Sequence, residues 1–340
     1  MTKTPRVALI GTGRIGTHHA HTIHREVPDL DLTVLADPAE GVAQRLADAL
    51  GVPAATTDPL AAATSDDVDA VVITTPARTH VDLVSAALGA GKHVFVEKPL
   101  ALTLDDNDRV TAQAAAAGRV LQVGFNRRYD PGFAAARKAI ADGVIGDVQL
   151  LRSVTRDPGP FSADPTRVPQ WTIFYETLIH DFDLLNFFNP GARAVNVFAR
   201  ADALVVPDRR DLGFLDTALV SIRYDNGAFA TAEANFSALY GYDVRGEAFG
   251  SKGMVTAGDA RLTSMTAHVA DGINVTTGRS DTELMHSSYL GEFQTFARAV
   301  VDPGQPHPTG VDNRRSLEIA LACIRSVEES RPVDISEVTS

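Results

Sequence analysis

The chain has 340 residues, 44% hydrophobic and 22% charged, with a net charge of −12. Single cores rarely grow past roughly 250–300 residues, so two domains are expected. The acidic balance argues against nucleic acid or an anionic membrane surface as the main partner, and one cysteine, Cys323, excludes an intrachain disulfide. Cys323 lies in an apolar helical pattern and reads as a small core residue. The first residues carry no charged n-region, long apolar stretch and cleavage site, and no window of about 20 apolar residues occurs. A soluble, cytoplasmic protein is expected.

In chain order, residues 6–10 (RVALI) read as a short buried strand. The run Gly11-Thr12-Gly13-Arg14-Ile15-Gly16 follows it and opens a helix-like stretch through Arg25. LTVLAD (32–37) is a second strand, 40–50 a helix ended by Gly51, and DAVVITTP (69–76) a third strand stopped by Pro76. Residues 80–90 are helical. HVFVEKP (93–99) is a fourth strand, 103–117 a helix ended by Gly118, and RVLQVGF (119–125) a fifth strand. Alternating strands and helices imply a parallel sheet with helices on both faces, and strands buried on both faces explain the continuous apolar runs.

Within this α/β pattern the glycine run has a physical reading. Gly11 permits a tight turn, Gly13 lets the backbone approach a pyrophosphate, and Gly16 lets helix and strand pack closely. The helix N-terminus offers N–H groups and partial positive charge to phosphates. Asp37 lies 21 residues after Gly16, at the end of the second strand. A carboxylate there can accept from both ribose hydroxyls and repels a 2′-phosphate. With no Arg or Lys between Asp37 and Gln44, the expected cofactor is NAD rather than NADP. Glu97-Lys98-Pro99 ends the fourth strand. Ligands of open α/β sheets sit beyond the carboxyl ends of the strands, so Lys98 is placed to hold a reacting oxygen and stabilise charge on it.

After about residue 125 strand-like stretches succeed one another: 147–156, 194–201, 216–224, 228–236 and 243–250. Tyr224-Asp225-Asn226-Gly227 suits a type I′ hairpin turn. The expected fold is therefore α/β, an N-terminal doubly wound Rossmann domain (1–123) followed by an α+β domain (124–340) with a large, mostly antiparallel open sheet. Its free face is an expected subunit interface for a dimer or tetramer. Between the first two of these strands, Glu176, His180 and Asp183 fall at i, i+4 and i+7 of one helical face. Carboxylates beside a histidine orient it and raise its proton affinity, which suits proton removal from an alcohol. His with carboxylates is also a zinc ligand set. Without a second His or a Cys nearby, no metal is expected.

Several segments together resemble the Gfo/Idh/MocA oxidoreductases, and more closely their inositol dehydrogenase branch. GTGRIGTHHA resembles the family's opening fingerprint, TTPARTH (74–80) its T-P-x-x-x-H element, and VEKPLALT (96–103) its E-K-P motif. GFNRRYDPGF (124–133) and YGYDVRGEAFGSKGM (240–254) are similar to inositol dehydrogenases; IHDFDLLNF (179–187) resembles the segment with the catalytic histidine and RPVDI (331–335) the common ending. The resemblance implies Lys98 as catalytic lysine and His180 as proton acceptor. The acid four residues earlier is Glu176 where the family has aspartate, and bulky residues, 170–175, stand where it usually has small ones. The expected cofactor contacts are Gly11, Thr12, Gly13, Arg14, Ile15, Gly16, Asp37, Thr74, Thr75, Pro76, His80, Glu97 and Lys98. Arg127, Asp157, Trp171, Tyr175 and Tyr240 join Lys98 and His180 as expected contacts of a sugar or cyclitol. The implied activity is NAD-dependent hydride transfer at a polyol hydroxyl or ketone. Two other readings share these residues: transient oxidation by retained NAD with no net redox change, and a non-catalytic nucleotide-binding regulator.

Overall fold

The structure, a computed structural model, describes residues 4–159 and 168–339. These fold as two compact units, residues 4–126 with Ser287–Arg314, and Arg127–His286 with Arg315 onward. Among the described residues no helix is long and apolar enough to cross a membrane.

The first unit opens with β1 (Arg6–Ile10), α1 (Arg14–Glu26), β2 (Asp31–Ala36), α2 (Val42–Leu50), β3 (Ala54–Thr56) and α3 (Pro59–Thr64). It continues with β4 (Ala70–Ile73), α4 (His80–Gly89), β5 (His93–Glu97), α5 (Leu104–Ala117) and β6 (Leu121–Gly124). All six strands are parallel, in the order β3-β2-β1-β4-β5-β6. This is the doubly wound Rossmann order, with its reversal between β1 and β4. β3 and α3 are absent from the sequence reading, because a three-residue strand is too short to show any period.

Residues 287–314 return to this unit, whereas the division at residue 123 assigns them to the second. The reason is aromatic packing. The helix His286–Val301 buries Phe293 and Phe296 completely against Phe95 of β5, at ring-centroid distances of 4.8 and 5.9 Å. Beyond it Pro308 O accepts from Val123 N, and Asn313 Oδ1 accepts from Leu100 N at 3.1 Å. A sheet face needs a cover, and here the cover comes from far along the chain.

The second unit begins with α6 (Pro131–Ala141), β7 (Val148–Arg156), α7 (Ile179–Phe188), β8 (Ala194–Asp202), β9 (Thr217–Tyr224) and β10 (Phe229–Asn235). β11 (Asp243–Gly250), β12 (Gly253–Ala257), β13 (Arg261–Val269), β14 (Gly272–Thr277) and α8 (Asp281–Leu284) follow. The helix His286–Val301 (α9) then leaves it, and α10 (Gly310–Glu329) leads back to β15 (Val333–Asp334) and α11 (Ser336–Thr339). Its main sheet has the order β12-β11-β7-β10-β9-β8-β15, antiparallel except for the β7–β10 pair. β13 and β14 form a separate two-stranded ribbon. Side chains alternate buried and exposed along β9, β10 and β11, the pattern of a sheet with one covered face. On the uncovered face Met254, Phe249, Leu150 and Phe229 stand in register across β12, β11, β7 and β10, all at least 41% exposed.

The β9–β10 turn differs from the type I′ expectation. A type I′ turn needs positive φ at both central residues, yet only Gly227 (φ 89°) has it. Gly227 N donates to Tyr224 O, and Tyr224 N donates to Ala228 O. The glycine thus supplies the left-handed residue of a longer loop with a bulge.

Phe293→Ala removes the ring of α9 that packs closer to Phe95 of the parallel sheet, 4.8 Å against 5.9 Å for Phe296. It should cost about 3–5 kcal/mol, the range for deleting a buried phenylalanine ring, read as a lower urea midpoint.

Candidate cofactor and active site

The nucleotide end of the first unit is built by close backbone approach. Gly11 has φ 95°, and a Cβ there would lie 2.9 Å from Thr74 C and O and from Thr75 N. A Cβ on Gly16 would fall 1.8 Å from Gly11 O. Thr74, also buried, donates its hydroxyl to Ile10 O and Gly11 O at 3.0 and 2.6 Å, tying β4 to the turn. At Gly13 a Cβ would meet nothing within 4 Å. That side of the turn therefore has room for a pyrophosphate. Gly13 caps α1 without a side chain, so none competes for the N–H groups of Arg14 and Ile15.

Asp37 follows β2 and is half-buried. Its Oδ2 accepts from Thr12 N (2.8 Å) and Thr12 Oγ1 (3.0 Å), and Oδ1 accepts from Ala39 N (3.0 Å). A carboxylate offers about four acceptor sites, so a ribose binding here shares or displaces the Thr12 hydroxyl. The open turn, the uncapped helix end and the acid at the end of β2 fit NAD.

Beyond β4, Thr75 Oγ1 accepts from Thr79 Oγ1 at 2.8 Å, and Pro76 is exposed. His80 is 1% exposed, and its ring nitrogens lie 2.8 Å from Pro99 O and 2.7 Å from Thr75 O. His80 braces the segments after β4 and β5 against each other. Glu97 is also buried, bonded to His19 at 2.7 Å, and accepts from Lys98 N at 3.2 Å. Lys98 is half-buried at the end of β5.

In the second unit the helix bearing His180 is not regular throughout. Residues Ile173–Leu178 form a π-helix that runs into α7 at Ile179, entered through Trp171 at φ 70°. The expected i, i+4, i+7 face from Glu176 therefore does not form as an α-helical stripe. The i→i+5 bonding of a π-turn widens the turn ahead of His180. Phe174 is fully buried and anchors that turn, while Tyr175, Glu176 and His180 are half-buried. Burial, with Glu328 nearby, pushes the Tyr175 phenol above its usual pKa.

Asp183 pairs with Arg128, with Nε–Oδ2 at 2.8 Å and Nη2–Oδ1 at 2.6 Å. Arg127 is only 4% exposed and makes a parallel pair. Its Nη1 donates to Asp181 Oδ1 at 3.0 Å and its Nη2 to Thr155 Oγ1 at 2.6 Å. Asp181 also accepts from Ser153. The sequence reading named neither Asp181 nor Arg128. Acids flanking His180 and a tandem Arg-Arg were the available signal, but pairing across some 55 residues has no local signature. Asp157 Oδ2 accepts from Tyr242 OH (2.6 Å) and its Oδ1 from Gly159 N (3.0 Å). Tyr240 is 49% exposed and donates to Asp243 at 2.7 Å.

Breaking the buried Arg127–Asp181 pair should be expensive, since it leaves a desolvated guanidinium. Asp181→Ala should lose about 3–5 kcal/mol, measured by chemical denaturation.

Similarity to known proteins agrees with this geometry. Residues 5–125 match the model of an oxidoreductase family with an NAD-binding Rossmann fold, GFO_IDH_MocA, and residues 133–256 match the GFO/IDH/MocA C-terminal domain. The chain is 36% identical to myo-inositol 2-dehydrogenase of Thermotoga maritima, covering 98% of this chain and 99% of that one. It is 37% identical to inositol 2-dehydrogenase of Rhizobium meliloti, covering 98% and 100%. Scyllo-inositol dehydrogenase of Lactobacillus casei, solved with NAD(H) and scyllo-inositol, superposes with a TM-score of 0.94 at 27% identity, covering 98% and 100%. With two matched domains, a glycine turn open to a pyrophosphate and relatives matched end to end, the chain belongs to the Gfo/Idh/MocA family of NAD-dependent oxidoreductases.

Proposed function

We propose that this enzyme is a cyclitol dehydrogenase acting on an inositol-like polyol. The observation that carries the proposal is end-to-end similarity to inositol dehydrogenases at 36–37% identity, in a chain with Lys98 at the end of β5 and His180 on α7. NAD, when bound, supplies the hydride acceptor. The main-chain N–H groups at the start of α1 hold its pyrophosphate, and Asp37 takes the ribose hydroxyls and disfavours a 2′-phosphate. Thr75 and Pro76 line the cofactor, while Thr74, His80 and Glu97 brace the segments that do so. Lys98 donates a hydrogen bond to the reacting oxygen. His180 takes the hydroxyl proton on a ring nitrogen. Glu176, delivered by the π-turn, orients His180. Asp157, Trp171, Tyr175 and Tyr240 contact the polyol, and Arg127 acts by holding Asp181 beside His180. Ketone reduction runs through the same groups in reverse. The enzyme works in the cytoplasm.

A screen of inositols and hexoses with NAD and NADP in parallel tests the substrate class and cofactor. Faster turnover of a non-cyclitol, or better use of NADP, overturns the reading. Turnover of substrate without added NAD would instead favour the no-net-redox reaction. In the same assay Lys98→Ala should lose roughly 10²–10³-fold in kcat, the scale of removing a preorganised oxyanion donor, while NADH binding, followed by fluorescence, stays intact.

We propose further that the exposed row Met254, Phe249, Leu150 and Phe229 pairs with the same row of a second copy, giving a dimer or tetramer. An apolar patch on a sheet face is an association surface. Phe249→Glu should convert the oligomer to monomer in light scattering at micromolar concentration.

A further inference from the structure

Beneath Lys98 lies a charged cluster that the proposed reaction does not use. One nitrogen of His19 (α1), one oxygen of Glu97 (β5) and one of Glu292 (α9) lie within 4.8 Å of one another, and all three residues are buried, at 0%, 8% and 0% exposure. The wall is aromatic: the His19 ring packs on Phe293 at 4.8 Å, Tyr289 at 5.2 Å and Phe95 at 6.2 Å. Both carboxyl oxygens of Glu292 lack a hydrogen-bond partner. Gln122 of β6 donates to the Glu292 main-chain oxygen at 2.9 Å, not to its side chain. The titratable groups beside Glu292 are Glu97 from β5 and His19 from α1; Lys98 acts on Glu97, and His18 and Tyr289 pack against the His19 ring.

Two buried carboxylates this close cannot both ionise without large cost. Glu97 is the one that carries charge. Burial alone would raise its pKa, but the His19 hydrogen bond, then the charge of Lys98 and the bond from Lys98 N, outweigh burial and leave it below the usual range. Glu292 has no such help; burial first, and the Glu97 charge second, push it well above the usual range. A divalent cation is the other way to satisfy such a cluster. However, His19 Nε2 and Glu97 Oε1 are 2.7 Å apart, whereas two ligands of tetrahedral zinc with bonds near 2.0 Å stand about 3.3 Å apart. The contact has the length of a charge-assisted hydrogen bond.

We propose that Glu292 is a positioning residue for Lys98: its side chain, buried within 4.8 Å of the His19–Glu97 pair, closes the polar cluster that holds the Glu97 carboxylate, and Glu97 fixes the Lys98 main chain by accepting from its N–H. This rests on the reading of Lys98 as the group that holds the reacting oxygen. The acid with a raised pKa contributes stability that is full below the unfolded value and is lost as pH rises through the folded one.

The test compares Glu292→Gln, which copies the neutral acid, with Glu292→Leu, in the full-length enzyme. The Gln variant should melt higher than wild type at pH 8, with the difference shrinking toward pH 5. Glu292→Leu should lose about ten-fold in kcat through misplaced Lys98 with NADH binding unchanged; Gln should recover most of that loss and move the alkaline limb of the pH–rate profile upward. Elemental analysis should find no stoichiometric metal. A pH-independent melting difference, a fully active Leu variant, an unmoved alkaline limb or one bound divalent ion per chain overturns the proposal. If Glu292→Leu does not fold, the Gln melting and pH profiles decide alone. A fully active Lys98→Ala enzyme defeats the reading of Lys98 itself; loss of activity there with an unmoved Gln profile defeats only the role of Glu292.

Discussion

The close approach of the Gly11 turn to the end of β4 governs everything the first unit presents to a nucleotide. The Thr74 hydroxyl reaches two carbonyls of the turn, and a Cβ on Gly16 would overlap Gly11 O. No side chain fits at either glycine without moving backbone. Because α1 starts directly from this turn, its N-terminus is aimed by the packing of β1 and β4, and Thr12 then holds the Asp37 carboxylate at 2.8 Å. Phosphate and ribose recognition thus rest on rigid strand ends rather than on a mobile loop, which lowers the ordering cost of binding.

The second unit uses charge where the first uses glycine. Two neighbouring arginines, Arg127 and Arg128, each take one acid of α7, Asp181 and Asp183. Arg128 also lies 5.2 Å from the centre of the Phe187 ring. Buried ion pairs contribute little net stability, since desolvation offsets their attraction, but breaking one is costly. They hold α7 by its polar side while Phe182, Leu184, Leu185 and Phe188 hold it by its apolar side. His180 therefore sits on a helix fixed from both directions. The π-turn ahead of it gives Glu176, longer than an aspartate by one methylene, a backbone of its own.

The Rossmann half was legible because its signals are local. A strand, a glycine turn, a helix and an acid at the next strand end all lie within 37 residues, and each residue type has one steric or electrostatic reason to be there. The alternating burial of β9 to β11 was legible for the same reason, since period two is written into neighbouring residues. Lys98 and His180 were placed on the right elements, a strand end and a helix, by their immediate context.

What local pattern could not carry was decided by tertiary packing. Phe293 and Phe296 read as ordinary helical core, and only the uncovered Phe95 face of the parallel sheet determines which unit they join. Asp183 stands near His180 by spacing, and its pairing with an arginine 55 residues earlier has no trace in that spacing. Asn226-Gly227 suggested a two-residue turn, and the register of β9 against β10 selected a longer one. Gly11, Gly13, Gly16 and Asp37 were determined by the sequence itself, because their roles follow from what a backbone and a carboxylate can do locally. The pairing of Arg127 with Asp181, and the meeting of Glu97, His19 and Glu292, belonged to the tertiary structure, because charges buried far apart in sequence find partners only once the chain has closed around them.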